Sequence, residues 1–189
     1  MDKKTARKKP RKATQTSLEN AALYYLERFA TSAENLRDVL MRRVERSVRH
    51  HDTDPHEGAA FVDALIVRYL ECGLLDDLAF ARTQAASMNR RGKSIRAIRA
   101  RLMQKRVSSA DIDDAVEALA QETPSPDLAA AIAYAKKRRL GPWRTREKDE
   151  DGREKELAAL ARSGFSYSIA RLIVETEDTA DIEAELERS

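Results

Sequence analysis

The feature of this 189-residue chain that most constrains its fold is an internal repeat with a spacing of 62 residues. The matched pairs are Ser32 and Ser94, Leu36 and Ile98, Arg37 and Arg99, Leu40 and Leu102, Met41 and Met103, and Arg43 and Lys105. Apolar residues at three- and four-residue spacing predict an amphipathic helix in each copy, and Ser94 is expected to cap the helix of the second copy. The period is too long for tetratricopeptide or ankyrin repeats, which recur every ~33 to 34 residues.

Composition supports a helical interpretation of the whole chain. Ala, Leu, Arg and Glu dominate, whereas there are only six glycines and five prolines, and this bias favours α-helix. Thr123-Pro124-Ser125-Pro126 reads as a linker, because each proline pushes the preceding residue out of helical geometry. We therefore predict an all-α fold of three tandem three-helix repeats, in residues 17–75, 76–122 and 123–175, between a disordered basic tail at 1–16 and an acidic tail at 176–189.

Residues that begin and end helices mark the boundary between the first two predicted repeats. Gly73 follows a strongly apolar helical segment and is expected to stop it, because glycine accepts the left-handed conformation. Asp76 or Asp77 is then expected to cap the next helix. Thr31, with a glutamate three residues later, is expected to cap the second helix of the first repeat.

Basic residues surround the second helix of the middle repeat. We call seven of them the basic segment: Arg90, Arg91, Lys93, Arg96, Arg99, Arg101 and Lys105. Helical spacing places Arg96 and Arg101 away from the apolar face and Arg99 and Lys105 beside it. Together with Arg37 and Arg43, these residues are candidates for binding a partner with an acidic or polyanionic surface. An ordinary solvated face is the other interpretation, since charge runs usually are one.

Catalytic, metal and cofactor sites are not predicted. Asp76 and Asp77 could be paired carboxylates, but adjacent side chains at a helix start diverge, and capping explains them. The three histidines lie in a polar loop without a fixed framework. One cysteine cannot form an intrachain disulfide. There is neither a membrane-length apolar run nor a signal peptide, so we expect a cytoplasmic location and no membrane partner.

The segment from Gly73 to Lys105 resembles the RecX family, the regulators of RecA recombinase. The residues that carry the resemblance are Gly73-Leu74-Leu75-Asp76-Asp77, Phe80-Ala81, Arg90, Gly92, Ile98-Arg99, Leu102 and Lys105. The resemblance extends from about Ala21 to about Ile173. The chain departs from the family pattern at Arg106, where members commonly carry glycine.

The resemblance implies an elongated, curved array of helical repeats and a non-enzymatic function. It implies binding in the groove of the RecA filament on single-stranded DNA and modulation of strand exchange and ATP turnover, usually inhibition. The setting would be homologous recombination, DNA repair and the SOS response, with the protein acting as a monomer. The alternative hypothesis is a helical DNA-binding protein that acts mainly through direct contact with nucleic acid.

Overall fold

The structure is a computed structural model that describes residues 11–145 and 150–188. Within these ranges it contains ten α-helices, a short 3-10 helix and no strand, which confirms the all-α prediction. The first ten residues of the expected basic tail lie outside the described ranges. The helices are α1 Gln15–Leu26, α2 Ala33–Val48, α3 Pro55–Glu71, α4 Asp77–Arg90, α5 Ile95–Gln104, α6 Ser109–Glu122, α7 Pro126–Arg138, α8 Glu150–Arg162, α9 Tyr167–Glu175 and α10 Thr179–Arg188, with the 3-10 helix at Gly141–Trp143 between α7 and α8.

Four helices begin in the same way, with a serine hydroxyl that accepts a hydrogen bond from the backbone N–H three residues later. The serines are Ser32 at α2, Ser94 at α5, Ser108 at α6 and Ser166 at α9. The prediction of Thr31 as the cap of α2 was wrong by one residue. The Thr31 hydroxyl instead accepts a hydrogen bond of 2.6 Å from the Asn35 side-chain amide.

Several helices end in a left-handed residue whose N–H and the next N–H bond back to the last turn. Gly92 and Gly164 adopt this conformation after α4 and α8, and Arg106 and Arg139 adopt it after α5 and α7. At Arg106 the φ angle is +60°, and the following N–H bonds to the carbonyl of Leu102 at 3.2 Å. The left-handed turn therefore forms with arginine, where the resemblance led us to expect glycine, although a left-handed conformation costs a residue with a Cβ atom free energy.

The chain divides into two compact units. The first extends to Asp77 and contains α1, α2 and α3. Its core is built from the apolar stripes of these helices, with Leu18, Leu36, Leu40 and Val62 almost completely buried. Such stripes bury their apolar area against each other and supply most of the stability of the unit. Gly73, with φ of +72°, ends this unit's last helix.

The second unit begins at Leu78 and contains two neighbouring groups of buried side chains. One group comes from α4, α5 and α6 and includes Ile98 and Leu102. The other comes from the helices after the Thr123–Pro126 linker and includes Leu160 and Ile173. The first group therefore uses Ile98 and Leu102, the apolar positions that the internal repeat predicted for α5.

The structure differs from the expected tails at both ends of its described part. Helix α1 begins at Gln15, and the N–H of Ala13 donates to the Ser47 hydroxyl at 2.9 Å, so ordered structure starts before residue 17. Residues 179–188 form α10, whose Ile182 is fully buried against the core of the second unit. No helix in the described ranges is long and apolar enough to cross a membrane.

Candidate polyanion-binding surface

Helix α5 presents the basic segment with the orientation that the helical period predicted. Ile98 and Leu102 are buried, whereas Arg96 and Arg101 are exposed on other faces of the helix. Arg99 and Lys105 are half-buried at its edges. Long side chains at such positions can cover apolar surface with their methylene groups while their charges remain in water.

The end of α4 and the turn that follows it hold three further cations of the basic segment. Arg90, Arg91 and Lys93 are exposed, and Gly92 between them is buried with φ of +81°. A Cβ atom placed on Gly92 would lie 2.7 Å from the backbone nitrogen of Tyr134 in α7. The backbone of the turn therefore rests directly on α7, and only glycine allows this approach.

The N-terminus of α5 is fixed by residues from later in the chain. The Ser94 hydroxyl accepts from the N–H of Ala97 at 3.2 Å and donates to the carbonyl of Ser163 at 2.7 Å. The N–H of Ile95 donates to the Asp127 carboxylate at 2.7 Å. Asp127 was not predicted from the sequence, and the signal available was only an acidic residue in the first turn of its own helix. These bonds satisfy donors that would otherwise lack partners.

The first unit contains the same arrangement. The N–H of Ala33, the first residue of α2, donates to the Asp77 carboxylate at 2.7 Å. Ala33 and Ile95 occupy matching positions in the 62-residue repeat. Asp77 is the first residue of α4, and Asp76 directly precedes it. An aspartate that holds the start of a helix is already engaged as a hydrogen-bond acceptor, which argues against the paired-carboxylate interpretation.

Two of the candidate cations are neutralised by carboxylates. The Arg37 Nε atom lies 2.7 Å from Asp63, and this hydrogen bond raises the pKa of the guanidinium above its ordinary value. Arg99 lies 2.5 Å from Asp113. Both pairs are substantially exposed, so each contributes little to stability, but neither arginine offers a bare positive charge to a partner.

The other candidate cations differ in whether their side chains have hydrogen-bond or carboxylate partners. Arg101 donates to the side-chain oxygen of Gln104 at 3.2 Å. Among the residues that the structure describes, no carboxylate pairs with a further group of candidates, namely Arg43, Arg90, Arg91, Lys93 and Arg96. Arg43 belongs to the first unit, whereas the other four lie together around the start of α5 in the second. The four form a compact group of uncompensated positive charge.

The described ranges offer little for chemistry at a metal or nucleophile. No group of three or more His, Cys, Asp or Glu side chains in these ranges could hold a metal ion. Cys72 is exposed at the end of α3, and its thiol donates to the carbonyl of Tyr69 at 3.6 Å. The exposed arginine and lysine side chains around α5 are of the type that binds anions.

Comparison with known proteins identifies the family. A family model described as the second three-helix domain of RecX matches residues 76–116. Regulatory protein RecX of Myxococcus xanthus (strain DK1622) is 42% identical over 178 residues, covering 93% of this chain and 94% of that protein. Regulatory protein RecX of Agrobacterium fabrum (strain C58) is 34% identical over 165 residues, covering 86% and 85%.

Two solved structures agree with this assignment. The crystal structure of a regulatory protein RecX superposes with a TM-score of 0.61 at 26% identity, covering 84% of this chain and 70% of the other. The crystal structure of RecX from Lactobacillus salivarius superposes with a TM-score of 0.60 over 93% and 97% of the two chains, and at 20% identity it supports the fold alone. Since one relative is 42% identical along nearly its whole length, the chain belongs to the RecX family of regulatory proteins.

Proposed function

We propose that this protein regulates the RecA recombinase by binding the RecA filament on single-stranded DNA and inhibiting its ATPase and strand exchange. The observation that carries the proposal is membership of the RecX family together with a compact group of unpaired cations at the start of α5. Inhibition of this kind needs no catalytic residue in the regulator. It needs a surface that binds the filament more strongly in one state than in another.

The charged residues and the helical repeats have different roles in binding the filament. The unpaired cations of the basic segment contact the filament. The proposed tandem repeats, the last of which includes α10 in its core, would carry this contact to neighbouring RecA protomers. Binding that bridges protomers would oppose extension of the filament or favour its disassembly. A monomer is sufficient, because one chain already contains several repeats.

Charge reversal tests the contact surface. The test variant replaces four residues with glutamate: Arg90, Arg91, Lys93 and Arg96. All four are exposed, so the fold is expected to survive, which circular dichroism will check. We expect the concentration needed for half-inhibition of the RecA ATPase on single-stranded DNA to rise at least roughly tenfold, because attraction to a polyanion becomes repulsion.

A matched variant separates a local effect from a change in total charge. It replaces four exposed arginines of the first unit with glutamate: Arg28, Arg42, Arg46 and Arg49. The net charge changes by the same amount in both variants. Unchanged inhibition by the folded α5 variant, or equal losses in both variants, would rule out this surface as the contact.

A further inference from the structure

The cations of the basic segment continue onto the ends of α7 and α8, which the sequence analysis did not single out. Arg138 lies in the last turn of α7 and Arg162 at the end of α8, and both are exposed. The Arg138 guanidinium carbon lies 5.9 Å from the centre of the Tyr134 ring. That ring is half-buried and packs on Phe165 with 5.8 Å between the ring centres. Tyr134 is therefore held in place by its own packing.

Direct contacts join these helix ends to the basic segment. The backbone at Gly92 abuts Tyr134, as described above, and Ser94 donates to the carbonyl of Ser163, the residue after Arg162. A Cβ atom on Gly164 would lie 3.4 Å from the Cβ atom of Arg96. The side chain of Arg96 therefore starts against the end of α8, beside the residues that surround Tyr134.

The electrostatic environment of Tyr134 reflects this concentration of cations. Burial acts to raise the pKa of the Tyr134 phenol, but hydrogen bonding from Ser163 and Arg138 and the positive charges of Arg138 and Arg162 outweigh burial and lower the pKa. In the described ranges, neither arginine has a carboxylate partner.

We propose that Arg138, Arg162, Tyr134 and Ser163 form a phosphate-binding site that extends the basic segment onto the helices after the linker. Two guanidinium groups and two hydroxyls supply the planar forks and single donors that bind phosphate oxygens well. This site rests on the proposed function in one respect only, namely that the strand it binds is the DNA inside the RecA filament. Binding to free nucleic acid tests the site separately.

The ligand that fits is the backbone of a single-stranded nucleic acid rather than one free phosphate. The four-residue site is continuous with unpaired cations of the basic segment, namely Arg90, Arg91, Lys93 and Arg96. Six unpaired cations exceed what one phosphate group can engage, whereas a strand offers a phosphate at every nucleotide. A strand lying along this surface would contact both groups of cations.

The test uses the full chain and a fluorescein-labelled 30-nucleotide oligothymidylate, with binding followed by fluorescence anisotropy across a salt series. The variant carries Arg138→Gln and Arg162→Gln. We expect roughly tenfold weaker binding and a salt-dependence slope smaller by about 1.4, which corresponds to two lost phosphate contacts on a single strand. Tyr134→Phe keeps the ring packing but removes one donor, and we expect a smaller loss of affinity with an unchanged slope.

The control variant carries Arg46→Gln and Arg49→Gln, which removes the same charge from exposed positions of the first unit. Equal affinities and slopes for the wild type and the Arg138/Arg162 variant would overturn the proposal, and so would equal losses in test and control variants. Thermal unfolding of each variant verifies that the fold is kept.

Two competitors identify the ligand chemistry. Displacement of the oligonucleotide by polyglutamate at matched charge concentration would show a general acidic-protein surface and overturn the phosphate assignment. Displacement by inorganic phosphate at the concentration of oligonucleotide phosphates would show a single-phosphate site and overturn the nucleic-acid assignment. Failure of both competitors supports the proposal.

Inhibition of the RecA ATPase is measured on the same variants. Weaker oligonucleotide binding with unchanged inhibition would support the phosphate site while placing it outside the mechanism of RecA regulation. Weaker oligonucleotide binding together with weaker inhibition would support both. Loss of inhibition with unchanged oligonucleotide binding would overturn the phosphate site and leave the proposed function standing.

Discussion

The carboxylate of Asp127 accepts a hydrogen bond of 2.7 Å from the backbone N–H of Ile95, 32 residues earlier in the chain. The bond connects the first turn of α7 to the first residue of α5. It thus fixes the start of the helix that carries the basic segment. A negative charge at a helix N-terminus also interacts favourably with the helix dipole.

Replacing Asp127 with alanine should lower the free energy of unfolding by about 1 kcal/mol, the usual cost of losing a capping acceptor. In a chain of this size that corresponds to a fall in melting temperature of roughly 2–4 °C. Thermal unfolding followed by circular dichroism measures the change. Glu117→Gln removes an exposed carboxylate from α6 without a capping role, and a melting temperature equally low for this control would contradict the explanation.

Gly92 and Gly73 give a matched pair of alanine substitutions. Both have positive φ angles, +81° and +72°, so alanine strains the backbone at each by about 1–2 kcal/mol. A new Cβ atom at Gly73 meets nothing within 4 Å, whereas at Gly92 it meets the backbone of Tyr134 at 2.7 Å. We expect Gly92→Ala to cost about 2 kcal/mol more than Gly73→Ala because a packed backbone must move. Urea unfolding will measure the difference. Equal losses of unfolding free energy in the two variants would contradict the explanation, because they would mean that α7 can move away at little cost.

The folded protein should be more stable with glycine in place of Arg139. Its φ angle is +57°, and its N–H and that of the next residue bond back to the last turn of α7. Removing the Cβ atom relieves the strain, and we expect Arg139→Gly to raise the free energy of unfolding by about 0.5–1 kcal/mol. Lys137→Gly, inside the helix, should instead lower it by about 0.7 kcal/mol. Losses of stability in both variants, measured by urea unfolding, would refute the assignment of strain to Arg139.

Glu175 should contribute to the acid sensitivity of the second unit. Its carboxylate bonds to Arg171 at 2.6 Å and to Arg153, and these hydrogen bonds lower its pKa in the folded protein. A lowered pKa gives stability that is complete above the unfolded value of about 4.3 and is lost as the pH falls through the folded value. Urea unfolding at pH 7 and pH 3 should therefore show a smaller pH-dependent loss for Glu175→Gln than for the wild type. An identical loss would mean that the pair is fully screened by solvent.

The sequence predicted local features well because they depend on neighbours along the chain. Ser94 caps α5 as expected, and Gly73 ends α3 in a left-handed conformation. The bond between Asp127 and Ile95 was not predictable, since it joins residues that become neighbours only after the repeats pack.

The surface around Tyr134 escaped prediction for the same reason. Its cations come from the ends of separate helices, and nothing in their sequence spacing indicates that they meet. The packing of α10 on the core was not predicted for a different reason, since the acidic segment was interpreted as a tail. Ile182 and Leu186 are its main apolar contacts with the core, and many acidic residues surround them. Two apolar residues are too few to reveal a helical period.

The contact between Gly92 and Tyr134 bears on how tightly this surface can bind. A flexible loop loses conformational entropy when a partner immobilises it, and this loss subtracts from affinity. Here the backbone of the α4–α5 turn is already immobilised against α7, so that entropy has been given up during folding. Arg90, Arg91 and Lys93 therefore meet a partner with only their side chains left to order, and less of the binding free energy is lost to ordering the surface.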